Sequence, residues 1–298
     1  MKPISDGALW NRLSPNTGED NCERRGVIIP FDRDEARSIM CAVCCDKHGE
    51  KRNMKLISTG GLGDSFITFL KIAGELAGPV EWLHVESNDL IEKSCRCLYD
   101  GPDSFFGKHL DEVTFKFECD PNYIANYYNG KWSEYTPVSS GHDKKCPLKG
   151  MTRFESNAPF IPWHNSIQQY DVCIQVSGGA KNSRRWLFDP IMLKNVLKQK
   201  GWRVCLIGSD EKYFDLKDND NFVGKFSLDS SLLKIEESAY FIGLSGFLNY
   251  YACAVDTRNA HLVESEEHDK RYYHPDWRSD KLMVGSMAEV LKYLESRL

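Results

Sequence analysis

The stretch KLISTGGLGDSFITFLKI, residues 55–72, sets the interpretation of the whole chain. It predicts a short apolar strand, a glycine-rich turn and then a helix with apolar residues at helical spacing. The turn contains three glycines: Gly60, Gly61 and Gly63. Glycine permits positive φ and close approach of a ligand to the backbone, so a strand that passes through glycines into a helix indicates a ligand-facing corner of an α/β domain. The spacing matches neither the GxGxxG dinucleotide fingerprint nor the P-loop.

Asp64, at the exit of this turn, has two interpretations. A carboxylate near a helix N-terminus stays ionised, because the helix dipole and the free N–H groups favour the anion. Such a carboxylate would repel a phosphate but can accept a proton from a substrate hydroxyl. Alternatively, Asp64 only caps the helix. The spacing does not decide between a catalytic base and a cap.

Length and composition are those of an ordinary globular protein. The 298 residues suit one large domain or two ordinary ones, and 41% hydrophobic with 27% charged residues is a normal balance. The formal net charge of −5 gives no electrostatic reason to expect nucleic acid or an anionic membrane as partner. No run of about 20 apolar residues predicts a transmembrane helix, and the N-terminus lacks the apolar core of a signal peptide. We therefore expect a cytoplasmic protein.

The eleven cysteines are an odd number, and without a secretory signal they are expected to be reduced thiols. Cys173, Cys205 and Cys253 lie in apolar runs and are predicted to be core residues. A structural zinc site is an alternative use of four residues near the N-terminus: Cys22, Cys41, Cys44 and His48. Because a second Cys-x2-Cys pair is missing, zinc is disfavoured, and we predict no metal site.

Strands and helices alternate in the first part of the chain, as in a parallel sheet with both faces covered. The predicted elements are a strand at 26–31, helices at 34–45, 65–76 and 87–98, and strands at 80–85 and 113–117. Residues 120–168 lose this rhythm and predict long loops, one helix at 121–128 and an interdomain linker at 154–166. Their aromatic residues and lysines can line a sugar or base site, but packing against their own domain is the favoured interpretation.

A second alternation of strands and helices begins near Tyr170. We predict strands at 171–176, 202–207, 239–242 and 260–263, and helices from Asp189-Pro190 to about residue 200, at 228–236, from the turn 243–246 through Ala254, and at 286–298. Ser286 and Glu289 have the spacing of a capping box. These patterns predict two Rossmann-like domains, residues 1–160 and 161–298, with a last helix that can cross back to the first.

The loop SGGAKNSRR, residues 177–185, follows a predicted strand, where open α/β sheets bind ligands. Six of its residues are candidates for binding a diphosphate: Ser177, Gly178, Gly179, Lys181, Arg184 and Arg185. The glycines offer free backbone amides, and arginine matches phosphate oxygens with two parallel hydrogen bonds. The alternative is a solvated basic loop.

Two further strand ends carry candidate residues. Gly208 closes the predicted strand at 202–207. Ser245 and Gly246 belong to a predicted tight turn at 243–246, whose amides and hydroxyl can contact a ligand. Taken alone, this turn is a weak signal.

At these turns the chain resembles the heptosyltransferase-like family, which includes the ADP-heptose lipopolysaccharide transferases. The family's G-x-x-G-D corner is matched by residues 60–64, and its Lys-Arg-Trp sequence by Arg184, Arg185 and Trp186, with arginine in place of lysine. Its following helix, glycine and strand that ends in glycine are matched by LKQKGWRVCLIGS. Its Asp-Ser-Gly turn is matched at Ser245 and Gly246. Two departures stand here: Leu244 replaces the aspartate, and Asn249 lies about where the family has histidine.

The resemblance implies an α/β GT-B fold, with two Rossmann-like domains facing across a cleft. It also implies an inverting glycosyltransferase that takes a nucleotide-diphosphate sugar as co-substrate and a carbohydrate or other hydroxyl as acceptor. Asp64 is then the base, the basic pair and the Ser245-Gly246 turn hold the diphosphate, and no cofactor or metal is needed. Three alternatives stay open: a GT-B glycosyltransferase that modifies DNA, with Lys144, Lys145 and Lys149 as a weak sign of a basic face; a sugar-nucleotide epimerase; and an inactive nucleotide-sugar-binding protein.

Overall fold

A computed structural model describes residues 54–75, 79–107, 110, 112–138, 167–177, 186–255, 257–262, 282–283 and 286–297. The chain divides into two compact units, of which the first ends at Pro162 and the second begins at Trp163. Several predictions lie outside the described residues: the strand at 26–31, the helix at 34–45, the linker at 154–166, the zinc candidates Cys22, Cys41, Cys44 and His48, and the lysines Lys144, Lys145 and Lys149. Within the described residues, every helix is too short or too polar to cross a lipid bilayer.

The first unit is a parallel sheet in the order β3-β2-β1-β4. Its elements, in chain order, are β1 (Met54–Thr59), α1 (Leu62–Glu75), β2 (Val80–Glu86), α2 (Asp89–Tyr99), β3 (Val113–Cys119), α3 (Tyr123–Tyr128) and β4 (Thr136–Pro137). The alternation predicted from the sequence is confirmed, although α1 begins three residues earlier than predicted. The two-residue strand β4 was not predicted, because two residues carry no periodicity and one of them is proline.

An aromatic core joins α1 and α2 to one face of this sheet. Phe69 of α1 stacks on Phe106 with ring centroids 4.6 Å apart, and Tyr99 of α2 lies 5.0 Å from Trp82 of β2. Trp82 also meets Phe115 of β3 edge-on at 4.9 Å. The helices are held on the sheet by these contacts, which bury large apolar surfaces.

The opposite face of the first sheet is covered by the aromatic segment that follows β3. Trp132 packs with Ile57, Leu83 and Val85, and three tyrosines lie around this cluster: Tyr123, Tyr127 and Tyr135. The Trp132 indole N–H donates to Glu118 at 2.9 Å. These aromatics therefore pack against their own unit, which confirms the favoured interpretation for residues 120–138; residues 139–166 of the same segment lie outside the described residues.

The second unit is a five-stranded parallel sheet in the order β6-β5-β7-β8-β9. Its elements are β5 (Tyr170–Gln175), α4 (Pro190–Gln199), β6 (Val204–Ile207), a single 3-10 turn at Glu211–Tyr213, α5 (Leu228–Glu236), β7 (Ser238–Leu244), α6 (Phe247–Ala254), β8 (Arg258–Leu262), β9 (Leu282–Met283) and α7 (Met287–Glu295). Helix α4 has the predicted cap, since the Asp189 carboxylate accepts the Ile191 N–H at 2.9 Å. The two-residue strand β9 was not predicted.

The prediction of a tight turn at 243–246 was wrong in its first half. Gly243 and Leu244 are the last two residues of β7, because they pair in parallel with His261 and Leu262 of β8. Only Ser245 and Gly246 form the turn into α6. Sheet pairing overrides the local preference of glycine for turns here.

Apolar residues of β5, β6 and β7 form the core of this unit together with α4 and α7. The prediction that Cys173, Cys205 and Cys253 are core residues is confirmed, since each is buried. Trp186 also packs against this core, and its indole N–H donates to the Gln175 carbonyl at 3.0 Å.

Candidate functional site

The strand order of each sheet marks one place where a ligand is expected. In open parallel sheets, ligands bind beyond the carboxyl ends of the strands, at the point where the strand order reverses. That point lies between β1 and β4 in the first sheet and between β5 and β7 in the second. Gly60 follows β1, Ser177 follows the end of β5, and Ser245 follows β7. Each sheet therefore has a sequence-predicted turn at its own reversal point.

The first turn brings Gly60, Gly61 and Asp64 together. Gly60 has φ +111°, and the Gly61 N–H donates to Asp64 Oδ2 at 2.8 Å. Gly61 is the residue before α1, and Asp64 is the third residue of the helix, so the carboxylate reaches back to the capping position as in one half of a capping box. The interpretation of Asp64 as a helix cap therefore holds in the structure. Gly63 lies within α1 rather than in the turn.

Glycine at position 60 is required by the closeness of Asp64. A Cβ added to Gly60 would lie 2.6 Å from Asp64 Oδ2 and 2.9 Å from Asp64 Cβ. At Gly61 the nearest such contact is 3.8 Å. The carboxylate is thus packed directly over Gly60.

Behind this turn, three buried side chains form a series of hydrogen bonds that the sequence did not predict. The Trp82 indole N–H donates to Ser58 Oγ at 2.8 Å, and Ser58 Oγ lies 2.7 Å from His84 Nδ1. The other ring nitrogen, His84 Nε2, lies 2.9 Å from the carbonyl oxygen of Gly60. The sequence carried little signal for them, since Ser58 in β1 and His84 in β2 are each one of three polar residues in their strand.

His84 is fully buried, and burial lowers its pKa below the usual value for histidine. Its hydrogen bond to the Gly60 carbonyl and the negative charges of Asp64 and Glu86 oppose this effect without cancelling it. The imidazole is therefore neutral at pH 7.

The second unit ties the ends of β5 and β6 together through Ser177. Its Oγ accepts the Ser209 N–H at 3.2 Å. Gly208 has φ +135°, and a Cβ there would lie 3.0 Å from Val176 and 3.1 Å from Ser177 Oγ. The structure thus brings together two predicted residues, Ser177 and Gly208. Five other predicted residues of this loop lie outside the described residues: Gly178, Gly179, Lys181, Arg184 and Arg185.

Ser245 and Gly246 form the turn at the end of β7, the strand that pairs with β5. Gly246 has φ +156° and precedes the first residue of α6. Ser245 is almost completely buried and Asn249, inside α6, is fully buried. A ligand can therefore meet the backbone of this turn more readily than the side chain of Asn249.

Gln175, the last residue of β5, is a further polar residue that sequence analysis did not single out. Its Nε2 donates to the Ser177 carbonyl at 2.7 Å, which fixes the orientation of the amide. Its Oε1 is buried and has no hydrogen-bond partner among the described residues. A Cβ on Gly243 would lie 2.6 Å from this oxygen, so Gly243 leaves the space that the amide occupies.

Comparison with known proteins identifies the fold. The ADP-heptose LPS heptosyltransferase II of Escherichia coli aligns over 83% of this chain and 99% of its own, with a TM-score of 0.53 and 11% identity. E. coli heptosyltransferase WaaC, solved with ADP-2-deoxy-2-fluoro heptose, aligns over 83% and 100%, with a TM-score of 0.50 and 10% identity. No family model and no curated protein matches the sequence. The α/β GT-B fold class and the resemblance to heptosyltransferases are therefore confirmed at the level of the fold.

Proposed function

We propose that this protein is an inverting glycosyltransferase that moves a sugar from a nucleotide-diphosphate donor to an acceptor hydroxyl. The observation that carries the proposal is the position of the predicted turns. In a chain with the heptosyltransferase fold, each sheet has such a turn at its reversal point. The first unit is proposed to hold the acceptor and the second to hold the donor.

The proposed reaction is a single displacement. The acceptor oxygen forms a bond to the anomeric carbon while the bond from that carbon to the diphosphate breaks, which inverts the anomeric centre. The acceptor proton passes to the Asp64 carboxylate. An ionised carboxylate has about four lone-pair sites, so the bond from the Gly61 N–H to Oδ2 leaves Asp64 able to accept a proton.

Negative charge develops on the leaving diphosphate, and the loop at 177–185 is proposed to stabilise it. Lys181, Arg184, Arg185 and the backbone amides of this loop supply donors that match phosphate oxygens. The backbone of the Ser245-Gly246 turn, at the neighbouring strand β7, is proposed to contribute to the same site. The proposal includes no resident metal ion or cofactor, so turnover is expected to survive EDTA.

A thermal-shift screen tests the donor site. Purified protein is melted with ADP-, GDP-, UDP- and CDP-sugars and with the free nucleotides. A ligand that binds only the folded state stabilises it by about 2.7 kcal/mol at 100 times Kd, so one nucleotide is expected to raise the Tm. The double variant Arg184→Ala/Arg185→Ala should lose this shift, whereas Lys292→Ala, an exposed lysine of α7, should keep it. A shift unchanged in the double variant would refute this donor site.

The Asp64→Asn variant tests the base. Loss of a general base typically lowers the rate by about 10²–10⁴-fold, and the donor-induced rise in Tm should be unchanged. Turnover is measured as nucleoside diphosphate released in the presence of candidate sugar acceptors, and NMR of the product reports the anomeric configuration. Retained turnover in Asp64→Asn, or a retained anomeric configuration, would contradict the mechanism.

A non-catalytic nucleotide-sugar-binding protein is the second candidate function. It is favoured by the residues that flank the Ser245-Gly246 turn, because Leu244 at the end of β7 replaces the acid of the family pattern and Asn249 in α6 is fully buried. This alternative predicts a rise in Tm with one nucleotide sugar, and no transfer to any acceptor by the unmodified protein.

A further inference from the structure

We propose that His84 is a positioning residue that locks the peptide between Gly60 and Gly61 and thereby orients the Asp64 carboxylate. The inference deepens the proposed function, because it assigns a role in transfer to a residue that does not itself touch the reacting atoms. It stands on the hydrogen bonds that meet at one peptide group.

In the hydrogen-bond series from Trp82 to the Gly60 carbonyl, chemistry decides which atom donates and which accepts in each bond. A carbonyl oxygen only accepts, so His84 Nε2 must carry the proton that it donates to Gly60 at 2.9 Å. In a neutral imidazole, Nδ1 is then an acceptor, and the Ser58 hydroxyl 2.7 Å away donates to it. Ser58 Oγ in turn accepts the indole N–H of Trp82. Donation therefore runs from Trp82 to Ser58, from Ser58 to His84 and from His84 to the Gly60 carbonyl.

The position of the His84 ring is set by the core of the first unit. Ser58 and His84 are direct partners in the parallel pairing of β1 with β2. Trp82, two residues earlier on the same face, is held between Tyr99 and Phe115. Ser58, Trp82 and His84 are all almost completely buried. The packed core therefore fixes the position of the imidazole that donates to the Gly60 carbonyl.

One peptide group transmits this placement to Asp64. The carbonyl of Gly60 and the N–H of Gly61 belong to the same planar peptide, and in a trans peptide they point in opposite directions. On one side the carbonyl accepts from His84, and on the other the N–H donates to Asp64 Oδ2 at 2.8 Å. A flip of this peptide would break both bonds at once.

The turn needs such a lock because glycine is conformationally free. Gly60 has φ +111° and is followed by a second glycine, so neither neighbouring side chain restricts the peptide. Without the bond from His84, the Gly61 N–H would be free to turn away from the carboxylate. The lock therefore keeps the proposed base in one orientation.

Matched substitutions of His84 test the lock. Glutamine places its amide N–H close to where histidine has Nε2–H, and asparagine does not reach that far. We expect amide hydrogen exchange at Gly61 to be about 5-fold faster in His84→Asn, the factor for one lost hydrogen bond of ordinary strength, and close to the wild-type rate in His84→Gln. In transfer assays kcat should fall about 5-fold or more in His84→Asn and recover in His84→Gln, while KM for the donor and its thermal shift stay unchanged.

The wild-type protein provides a measurement that no folding defect can obscure. Nitrogen-15 NMR of the histidine side chains should show His84 as the neutral Nε2–H tautomer at pH 7. An Nδ1–H tautomer, or equal Gly61 exchange rates in wild type, His84→Asn and His84→Gln, would overturn the proposal. If no donor or acceptor supports turnover, the proposed function fails, but the tautomer and the exchange rates still decide whether His84 locks the turn.

Discussion

At the scale of residues, the contrast between the two adjacent glycines of the first turn can be measured directly. Alanine at position 60 would need φ near +111° and would place its Cβ 2.6 Å from Asp64 Oδ2. Alanine at position 61 would meet the same oxygen only at 3.8 Å. Strained backbone of this kind costs roughly 1–3 kcal/mol. We therefore expect Gly60→Ala to lower the free energy of unfolding by that amount in urea titrations, and Gly61→Ala to lower it by less. Equal losses in the two variants would show that Asp64 is not packed over Gly60.

The residues that the sequence predicted differ from those that it missed in how far away their contact partners lie along the chain. Gly60, Gly61 and Asp64 could be predicted because their contacts span no more than four residues. His84 could not, since its hydroxyl partner Ser58 lies 26 residues away and becomes a neighbour only through strand pairing. Gln175 was missed because an amide at the end of a buried strand has no local signature.

At the scale of elements, apolar periodicity predicted the longer helices and strands well. Helix α5 has the predicted bounds, 228–236, because its apolar residues keep helical spacing throughout. Strands β4 and β9 were missed because each has only two residues. Strand β7 continues through Gly243 because pairing with β8 is stronger than the turn preference of one glycine.

An ion pair between Lys194 of α4 and Asp218, which follows the 3-10 turn, is largely buried. Breaking this ion pair should destabilise the second unit. Lys194 is buried and its ammonium lies 2.5 Å from Asp218, which also accepts from Lys198 at 2.9 Å. Asp218→Asn should lower the free energy of unfolding by up to about 3 kcal/mol, because the Lys194 charge loses its partner. Asp220→Asn is the matched control, since this acid is more exposed and 3.3 Å from Lys198, and it should cost less than about 1 kcal/mol. Equal losses in urea titrations would contradict a structural role for this pair.

The same pair predicts a dependence of stability on pH. Burial alone would raise the pKa of Asp218, but its hydrogen bonds from Lys194 and Lys198 lower it well below the usual range. The unfolded state then binds the proton more readily, so the stabilisation is complete above the unfolded pKa of about 3.9 and is lost as the pH falls below it. Asp218→Asn should lose less stability than the wild type between about pH 5 and pH 2, where the unfolded carboxyl group takes up its proton.

At the scale of the whole molecule, the alternation of strands and helices was sufficient to predict two α/β units, but not the strand order within either sheet. Strand order depends on which non-neighbouring segments pair, as when β7 joins β5 on the side opposite β6. That order nevertheless decides the functional argument, because it sets the reversal point in each sheet. The motifs mark the turns as special, and the topology shows that they lie where a ligand is expected.

The proposed assignment of the donor to the second unit and of the acceptor to the first leads to a prediction for the full chain. If the second unit holds the donor, the nucleoside diphosphate with the largest thermal shift should slow amide hydrogen exchange at the strand ends of that unit, at Ser177, Ser209 and Gly246. Protection by mass action can reach about 100-fold at a ligand concentration 100 times Kd. Exchange at Gly60 and Gly61 should change little, because that turn is proposed to face the acceptor and its carboxylate repels a diphosphate. Arg184→Ala/Arg185→Ala serves as the control and should show no protection at the same concentration. Protection confined to Gly60 and Gly61 would instead place the nucleotide in the first unit, and Asp64 could then not act as the base for an acceptor bound there.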